Sequence, residues 1–150
     1  IAYSRDEAKV TILGVEDQPG IAAGIFGPLA DANINVDMIV QNASEDGTTD
    51  ITFTTSRAEL DRALKVVKDN MQIPYRSINS DKSVVKVSVV GVGMRSHAGV
   101  AQTMFTALAD KKINIHIIST SEIKVSVLIS EDYTELALRA LHTAYGLDAA

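Results

Sequence analysis

The hydrophobic positions of this chain form one pattern that occurs twice. In each copy an alternating, β-branched segment predicts a strand, a polar turn follows, apolar residues three and four positions apart predict a helix, and a short apolar segment predicts a second strand. The first copy begins at Lys9 and the second at Lys86, and Ile34-Asn35 returns as Ile113-Asn114 after 79 residues. A repeat of this length indicates two copies of one structural unit.

The remaining segments extend each copy toward the order βαββαβ. The predicted strands cover residues 10–15, 34–40, 49–55, 73–78, 85–92, 113–118 and 123–129, and the predicted helices begin near Ile21, Ser56, Ala98 and Asp132. Two pairs, Ser56 with Glu59 and Asp132 with Glu135, have the spacing of a capping box. Pro28 predicts a kink or an exposed face in the first helix, because proline lacks a backbone donor.

The second copy ends without its last strand, since only residues 146–150 follow its second helix. Without that strand its sheet would have a bare edge, and the strand-like segment 1–4 can complete it. We therefore predict an α+β fold of two ferredoxin-like βαββαβ domains, with antiparallel sheets and helices on one face. The first domain, residues 9–80, is inserted into the second, which consists of residues 1–8 plus 82–150. Because the chain starts at Ile1 without Met, we expect a trimmed or incomplete end.

The composition excludes several function classes. The formal net charge of −5 argues against a nucleic-acid partner. No apolar run approaches the roughly 18 residues that a membrane span needs, so we expect no membrane partner. The chain has no Cys, its three His are scattered, and no phosphate-binding loop or nucleophile motif is present. We therefore expect no disulfide, metal, cofactor or catalytic residue, and a cytoplasmic location.

The repeat places a helix start opposite a polar strand end. Asp17 precedes the first helix, Gln41 and Asn42 follow the next strand, and Asn114 lies in the matching strand of the other copy. Backbone N–H groups at a helix start attract a carboxylate, and Asp17 could pair with an ammonium, so a pocket here would suit a free α-amino acid. The alternative is that Asp17 and the Pro19-Gly20 turn simply cap the helix, which is a common arrangement.

Several segments carry a family resemblance: Gln41-Asn42, Asp46-Gly47-Thr48-Thr49-Asp50, Ser96-His97-Ala98-Gly99-Val100 and Ile118-Ser119-Thr120-Ser121-Glu122-Ile123. A βαββαβ unit whose first helix begins at an acidic-Pro-Gly turn resembles the ACT domain, a small amino-acid-sensing module. More closely, these segments resemble the regulatory region of bacterial aspartokinases, either its small β subunit or its C-terminal half. The likeness covers essentially the whole chain.

The resemblance implies a non-catalytic part that mediates feedback inhibition. Its expected partners are a second copy, paired so that the first ACT domain of one chain faces the second of the other, and a catalytic aspartokinase subunit or domain. Threonine is the usual effector at those interfaces, often together with lysine. The implied threonine site consists of Asp17, Gly20, Ile21, Ala22, Gln41, Asn114 and Ile115. The implied lysine site consists of Asp37, Met94, His97, Ala98, Val100, Ser121 and Glu122.

Two departures from the family concern the lysine site: Ala101 stands where relatives often carry Thr, and the loop 42–46 is shorter than in some of them. Other interpretations remain open from the residues alone. An ACT pair of another enzyme would bind a different amino acid. A small hydrolase of the acylphosphatase type would use Arg95 in a phosphate-cradling loop, but would not explain the repeat. An RNA-binding βαββαβ protein would need a basic face and more aromatic residues than the 5% found here.

Overall fold

The computed structural model describes residues 1–43, 46–72, 74–91 and 97–146, with the main chain alone at Ala43 and His97. Its strands and helices are β1 (Ala2–Glu16), α1 (Ile21–Asp31), β2 (Ile39–Ala43), β3 (Thr48–Thr55), α2 (Leu60–Asn70), β4 (Ser77–Val90), α3 (His97–Asp110), β5 (Ile117–Thr120), β6 (Lys124–Ser130) and α4 (Thr134–Ala144). Single 3-10 turns, Arg57–Glu59 and Glu131–Tyr133, lead into α2 and α4. Within the described part of the chain, no helix is both long and apolar enough to cross a bilayer.

The chain divides into two compact units, one of Asp6–Lys82 and the other of Ile1–Arg5 together with Ser83–Ala150. In the first unit the strand order is β2-β3-β1-β4, and in the second it is β1-β4-β6-β5. The pairs β1–β3, β2–β3, β4–β6 and β5–β6 are antiparallel. β2 and β5 are therefore edge strands of their units, and the predicted α+β fold with antiparallel sheet and four helices is confirmed.

The core of the first unit follows the predicted periodicities. Alternate residues of β1, Ala8, Val10 and Ile12, are fully buried, and so are Ile51 and Phe53 on β3. The helices complete this core with residues at helical spacing, namely Ile21, Ile25, Leu29, Leu60, Ala63 and Val67. The ring of Phe26 meets that of Phe53 edge to face at a centroid distance of 5.5 Å.

The second unit buries the repeat-equivalent positions. Its core contains Val85, Val87, Val89, Met104, Leu108, Ile113, Val125, Val127, Ile129, Ala137 and Leu141. Even a polar cross-strand pair is repeated, since the Thr11 and Thr52 hydroxyls lie 3.1 Å apart and the buried Ser88 and Ser126 hydroxyls 2.7 Å apart. The sequence repeat is thus a repeat of packing positions.

The turn after the first helix of each unit also has the same geometry. Asn33 and Lys112 both have a left-handed backbone with φ of 59°. The following amides donate back to the helix, Ile34 N–H to the Leu29 carbonyl (2.9 Å) and Ile113 N–H to the Leu108 carbonyl (3.0 Å). Each helix thus ends with a reversal that satisfies one of its last carbonyls.

Several predicted strand boundaries are wrong. Segments 1–4 and 10–15 belong to one strand, β1, and the strand predicted over 85–92 continues back to Ser77 as β4. In segment 73–78 the structure describes strand only from Ser77, and Ile73 and Val92 lie outside the described residues. The strands predicted over 34–40 and 113–118 begin later, at Ile39 and Ile117. Residues 34–38 instead make hydrogen bonds to β3 that do not follow a strand ladder. For example, the Met38 N–H donates to the Thr54 hydroxyl at 3.0 Å.

Both predicted capping boxes are also wrong. Ser56 precedes a 3-10 turn without a side-chain cap, and the Glu59 carboxylate pairs with Arg62 at 2.7 Å. In the second unit the Ser130 hydroxyl, rather than Asp132, accepts a first-turn amide, from Asp132 itself at 3.4 Å. In each unit a 3-10 turn comes before the helix, so α2 begins only at Leu60 and α4 only at Thr134. The Ser/Asp-to-Glu spacing therefore does not coincide with the first turn of either α-helix. α1 is one continuous helix through Pro28, which is half-buried.

Candidate functional site

The first turn of α1 has no side-chain cap among the described residues. Its N-cap is Gly20, whose φ of 90° is left-handed, and the Gly24 N–H donates to the Gly20 carbonyl at 2.9 Å. The interpretation of Asp17 as the helix cap is therefore wrong. The preceding first-turn N–H groups lack an intrahelical acceptor and carry the positive end of the helix dipole. Such a helix start favours an anion.

A concavity of about 600 Å³ lies at this helix start. Its walls are Asp17, Gln18, Pro19, Gly20, Ile21, Ala22, Ala23 and Gln41. The structure thus brings together the five residues of the implied threonine site that belong to the first unit. The other two belong to the second unit, where Asn114 is exposed and Ile115 is half-buried against the core.

Hydrogen bonds from the main chain fix the position of Asp17. The Asp17 N–H donates to the carbonyl of Gly47 at 3.0 Å, and the Glu16 N–H donates to the carbonyl of Pro74 at 3.3 Å. The Asp17 side chain is exposed at the rim of the concavity. A carboxylate held there can pair with an ammonium whose own carboxylate lies on the helix start.

Gln41 reaches the concavity from the edge strand β2 rather than from a loop. It is paired with Ile51 of β3, and its side chain is exposed. An amide that can donate and accept suits the polar groups of an amino acid. Strand pairing holds the Gln41 main chain in place, whereas the strand predicted from the sequence ends at residue 40.

The residues of the implied lysine site are distributed over both units. Asp37 is exposed in the first unit, and Ala98, Val100, Ser121 and Glu122 belong to the second. Of these, Ser121 and Glu122 are exposed in the turn before β6, where the Ser121 N–H donates to the Lys124 carbonyl at 2.8 Å. Met94 and Arg95 lie outside the described residues, and only the main chain of His97 is described.

A larger concavity of about 820 Å³ lies between α3 and α4, and none of the implied site residues lines it. Its polar side chains, among them Gln102, Asp110 and Arg139, are exposed on the two helices and converge on no helix start. The smaller concavity at α1 is therefore the better candidate for a charged ligand. Within the described residues, no group of three or more His, Asp or Glu side chains could hold a metal ion.

Sequence reasoning did not identify all residues that build the concavity. Gln18, Pro19 and Ala23 line it, and the carbonyl of Gly47 holds Asp17 from the β2–β3 turn. The Asp46-Gly47 pair predicts a turn, and that turn is present, with Gly47 at φ of 82°. Nothing in the sequence indicates that its carbonyl reaches Asp17.

Comparison with known proteins decides the family. Two models of the ACT domain match the chain, one over residues 9–70 and one over residues 87–145. A crystal structure of aspartokinase alpha and beta subunits superposes with a TM-score of 0.91 at 51% identity, covering 97% of this chain and 96% of that one. The chain belongs to the aspartokinase family, as a regulatory region of two ACT domains.

Two further relatives agree with this membership. This aspartokinase regulatory region is 61% identical to the aspartate kinase of Pseudomonas fluorescens (strain SBW25), over an alignment that covers 99% of this chain. The ligand-free regulatory subunit of aspartate kinase from Thermus thermophilus matches with a TM-score of 0.90 at 38% identity, covering 96% of this chain and 95% of that one. The chain spans only 36% of the Pseudomonas protein. Membership of this family replaces the hydrolase and RNA-binding interpretations.

Proposed function

We propose that this chain is the feedback sensor of an aspartokinase, without catalytic activity of its own. It binds threonine, with lysine as a second effector, where two copies of the chain meet, and it inhibits a catalytic aspartokinase subunit or domain. The observation that carries the proposal is the concavity at α1, where Asp17, Gly20 and Gln41 surround a helix start without a side-chain cap.

The chemistry of this concavity suits a zwitterion. The ligand carboxylate accepts from the first-turn N–H groups of α1, and the Asp17 carboxylate pairs with the ligand ammonium. The Gln41 amide is then available to the threonine hydroxyl. Within one chain the walls are open and Asp17 is exposed, so a second chain is needed to exclude water. We assign that role to Asn114 and Ile115 of the second copy.

Exposed apolar residues on the two edge strands support pairing of the first unit with the partner's second unit. Ile39 on β2 is 55% exposed and Ile118 on β5 is 48% exposed. They occupy equivalent positions of the repeat, 79 residues apart. An exposed apolar edge strand is a template for pairing with another chain. Joining β2 of one copy to β5 of the other would cover both residues.

For lysine, the exposed Glu122 and Asp37 carboxylates are the groups that can neutralise a side-chain ammonium. Inhibition follows from linkage. An effector that binds one packing of the paired chains more tightly than another shifts the equilibrium toward that packing, by no more than its difference in affinity. We propose that the catalytic aspartokinase part is inactive when the paired chains adopt the packing that the effector favours.

Calorimetric titration of the chain with threonine tests the site. Gln41→Ala removes one amide contact and is expected to weaken binding by about 1–3 kcal/mol. Gln102→Ala is the matched control, because Gln102 is an exposed amide on α3, outside the concavity. Sedimentation should show more dimer when threonine is present. Unchanged affinity in Gln41→Ala, or a chain that stays monomeric and binds neither amino acid, contradicts the proposal.

A further inference from the structure

A β-bulge lies in β1 three residues before Asp17. Ile12 is paired with Ile51 and Val15 with Thr49, so Leu13 and Gly14 together lie opposite the single residue Asp50. Gly14 has a left-handed φ of 66°. A bulge of this kind bends the strand and redirects the residues that follow it. Here those residues lead to the concavity.

The side chain of Asp50 closes this bulge. Its Oδ1 accepts the Gly14 N–H at 2.9 Å, which replaces the interstrand bond that the extra residue displaces. On the other side, the Leu13 carbonyl accepts the Arg76 N–H at 2.8 Å. A Cβ atom at Gly14 would lie 2.9 Å from the Arg76 Cβ, so any other residue would require Arg76 to move. A carboxylate acceptor makes this hydrogen bond stronger than one between neutral groups.

At the equivalent position of the second unit the strand pairing is regular, with Val90 paired to Lys124 and no extra residue. Gly91 is the repeat equivalent of Gly14, and its N–H donates to the main-chain carbonyl of Ile123 at 2.8 Å. The repeat equivalent of Asp50 is Lys124, which has no acceptor on its side chain. Within the described residues, the bulge and the carboxylate that closes it thus occur together in the unit that contains the α1 concavity.

From this arrangement we infer that Asp50 is a positioning residue for the effector site. It lines no part of the concavity and acts through the bulge, which sets the path of Glu16 and Asp17 toward the start of α1. The Gly47 carbonyl then holds Asp17 from the neighbouring turn. The predicted effect of Asp50 on threonine affinity rests on the proposed function. Its predicted effect on the position of the Asp17 main chain does not.

The test compares Asp50→Ala with Asp50→Asn. The Asn side chain keeps an acceptor oxygen for the Gly14 N–H and removes only the charge, whereas Ala removes the acceptor. We expect the threonine dissociation constant to rise about tenfold in Asp50→Ala and by less than about threefold in Asp50→Asn. Lys124→Ala is the control at the repeat-equivalent position and should leave threonine affinity unchanged.

Nuclear magnetic resonance of the whole chain without effector measures directly whether Asp50 affects the main chain at Asp17. In Asp50→Ala the amide signals of Gly14, Glu16 and Asp17 should all shift, while Asp50→Asn should leave those of Glu16 and Asp17 near their wild-type positions. Unmoved Asp17 signals in Asp50→Ala overturn the inference. Equal loss of threonine affinity in the Asn and Ala variants overturns it as well. If the wild-type chain binds no threonine, the proposed function fails, and the Asp17 signals still decide the role of Asp50.

Discussion

At the residue scale, two glycines of the first unit have opposite surroundings. Gly14 has a left-handed backbone, and a Cβ atom there would collide with Arg76. Gly24 lies within α1 and is exposed, and a Cβ atom there would meet nothing within 4 Å. Because glycine in a helix interior costs stability relative to alanine, the same substitution should change stability with opposite sign at the two positions.

Gly14→Ala and Gly24→Ala test this difference in sign. Gly14→Ala is expected to lower the free energy of unfolding by about 1–3 kcal/mol, through backbone strain and the close contact. Gly24→Ala should raise it by up to about 1 kcal/mol. Urea denaturation of both variants measures the two values. If Gly14→Ala has the stability of the wild type, the bulge is not the constrained feature that its geometry indicates.

At the element scale, a tyrosine connects the two helices of the second unit. Tyr145 follows α4, and its hydroxyl donates to the carbonyl of Val100 in the first turn of α3 at 2.5 Å. Burial raises the pKa of Tyr145 above its ordinary value of 10.0, and a main-chain hydrogen bond from Met104 acts in the opposite direction. The neutral phenol is thus favoured in the folded chain.

The sign of the pH dependence follows from that shift. A phenol whose pKa is higher in the folded state contributes stability that is complete below the unfolded pKa and is lost as pH rises through the folded value. Wild type should therefore lose more stability than Tyr145→Phe over the range that begins near pH 10.0 and extends upward. Below that range Tyr145→Phe should be less stable by about 0.5–1.5 kcal/mol. Urea denaturation across the range provides the comparison, and parallel pH profiles would refute the assignment.

Element types could be predicted from the sequence because each unit buries one stripe per helix and alternate residues per strand. The sequence did not predict that β1 is one continuous strand from Ala2 to Glu16. Arg5, Asp6 and Glu7 are polar, yet they lie within the strand and Glu7 is buried. Arg57 explains part of this, since its N–H donates to the Asp6 carboxylate at 3.0 Å and its guanidinium donates to the Glu7 carbonyl at 3.1 Å. Partners 50 residues away in sequence leave no local signal.

The candidate site shows the same limit. Asp17, Gly20 and Gln41 could be named because they follow recognisable turn and strand signals and match a family. Gly47 and Asp50 could not, because they act through hydrogen bonds to the main chain of a neighbouring segment. Long-range bonds of this kind depend on strand register, which a single sequence does not specify.

At the scale of the whole molecule, the two units do not follow one another along the chain. Ile1–Arg5 cluster with Ser83–Ala150, while Asp6–Lys82 form the other unit. Ile1 packs against the core of the second unit. We accordingly retain the proposal that the first ACT domain is inserted into the second.

This arrangement predicts that residues 83–150 alone are poorly stable. Adding residues 1–5 through a flexible linker should raise the free energy of unfolding by about 2 kcal/mol or more, because it restores an edge strand and the packing of Ile1. The same five residues in scrambled order are the matched control. Circular dichroism during urea titration measures all three chains. A fragment of residues 83–150 as stable as the extended one would exclude the insertion.

The left-handed turns at Asn33 and Lys112 bear on the origin of the chain. Their backbones share one φ value, although asparagine tolerates that conformation well and lysine does not. Duplication of an ancestral gene segment accounts for this, if selection preserved the course of the main chain while the side chains of each descendant diverged. The two halves then inherited a single way of folding, and the bulge closed by a carboxylate is a feature of the first half.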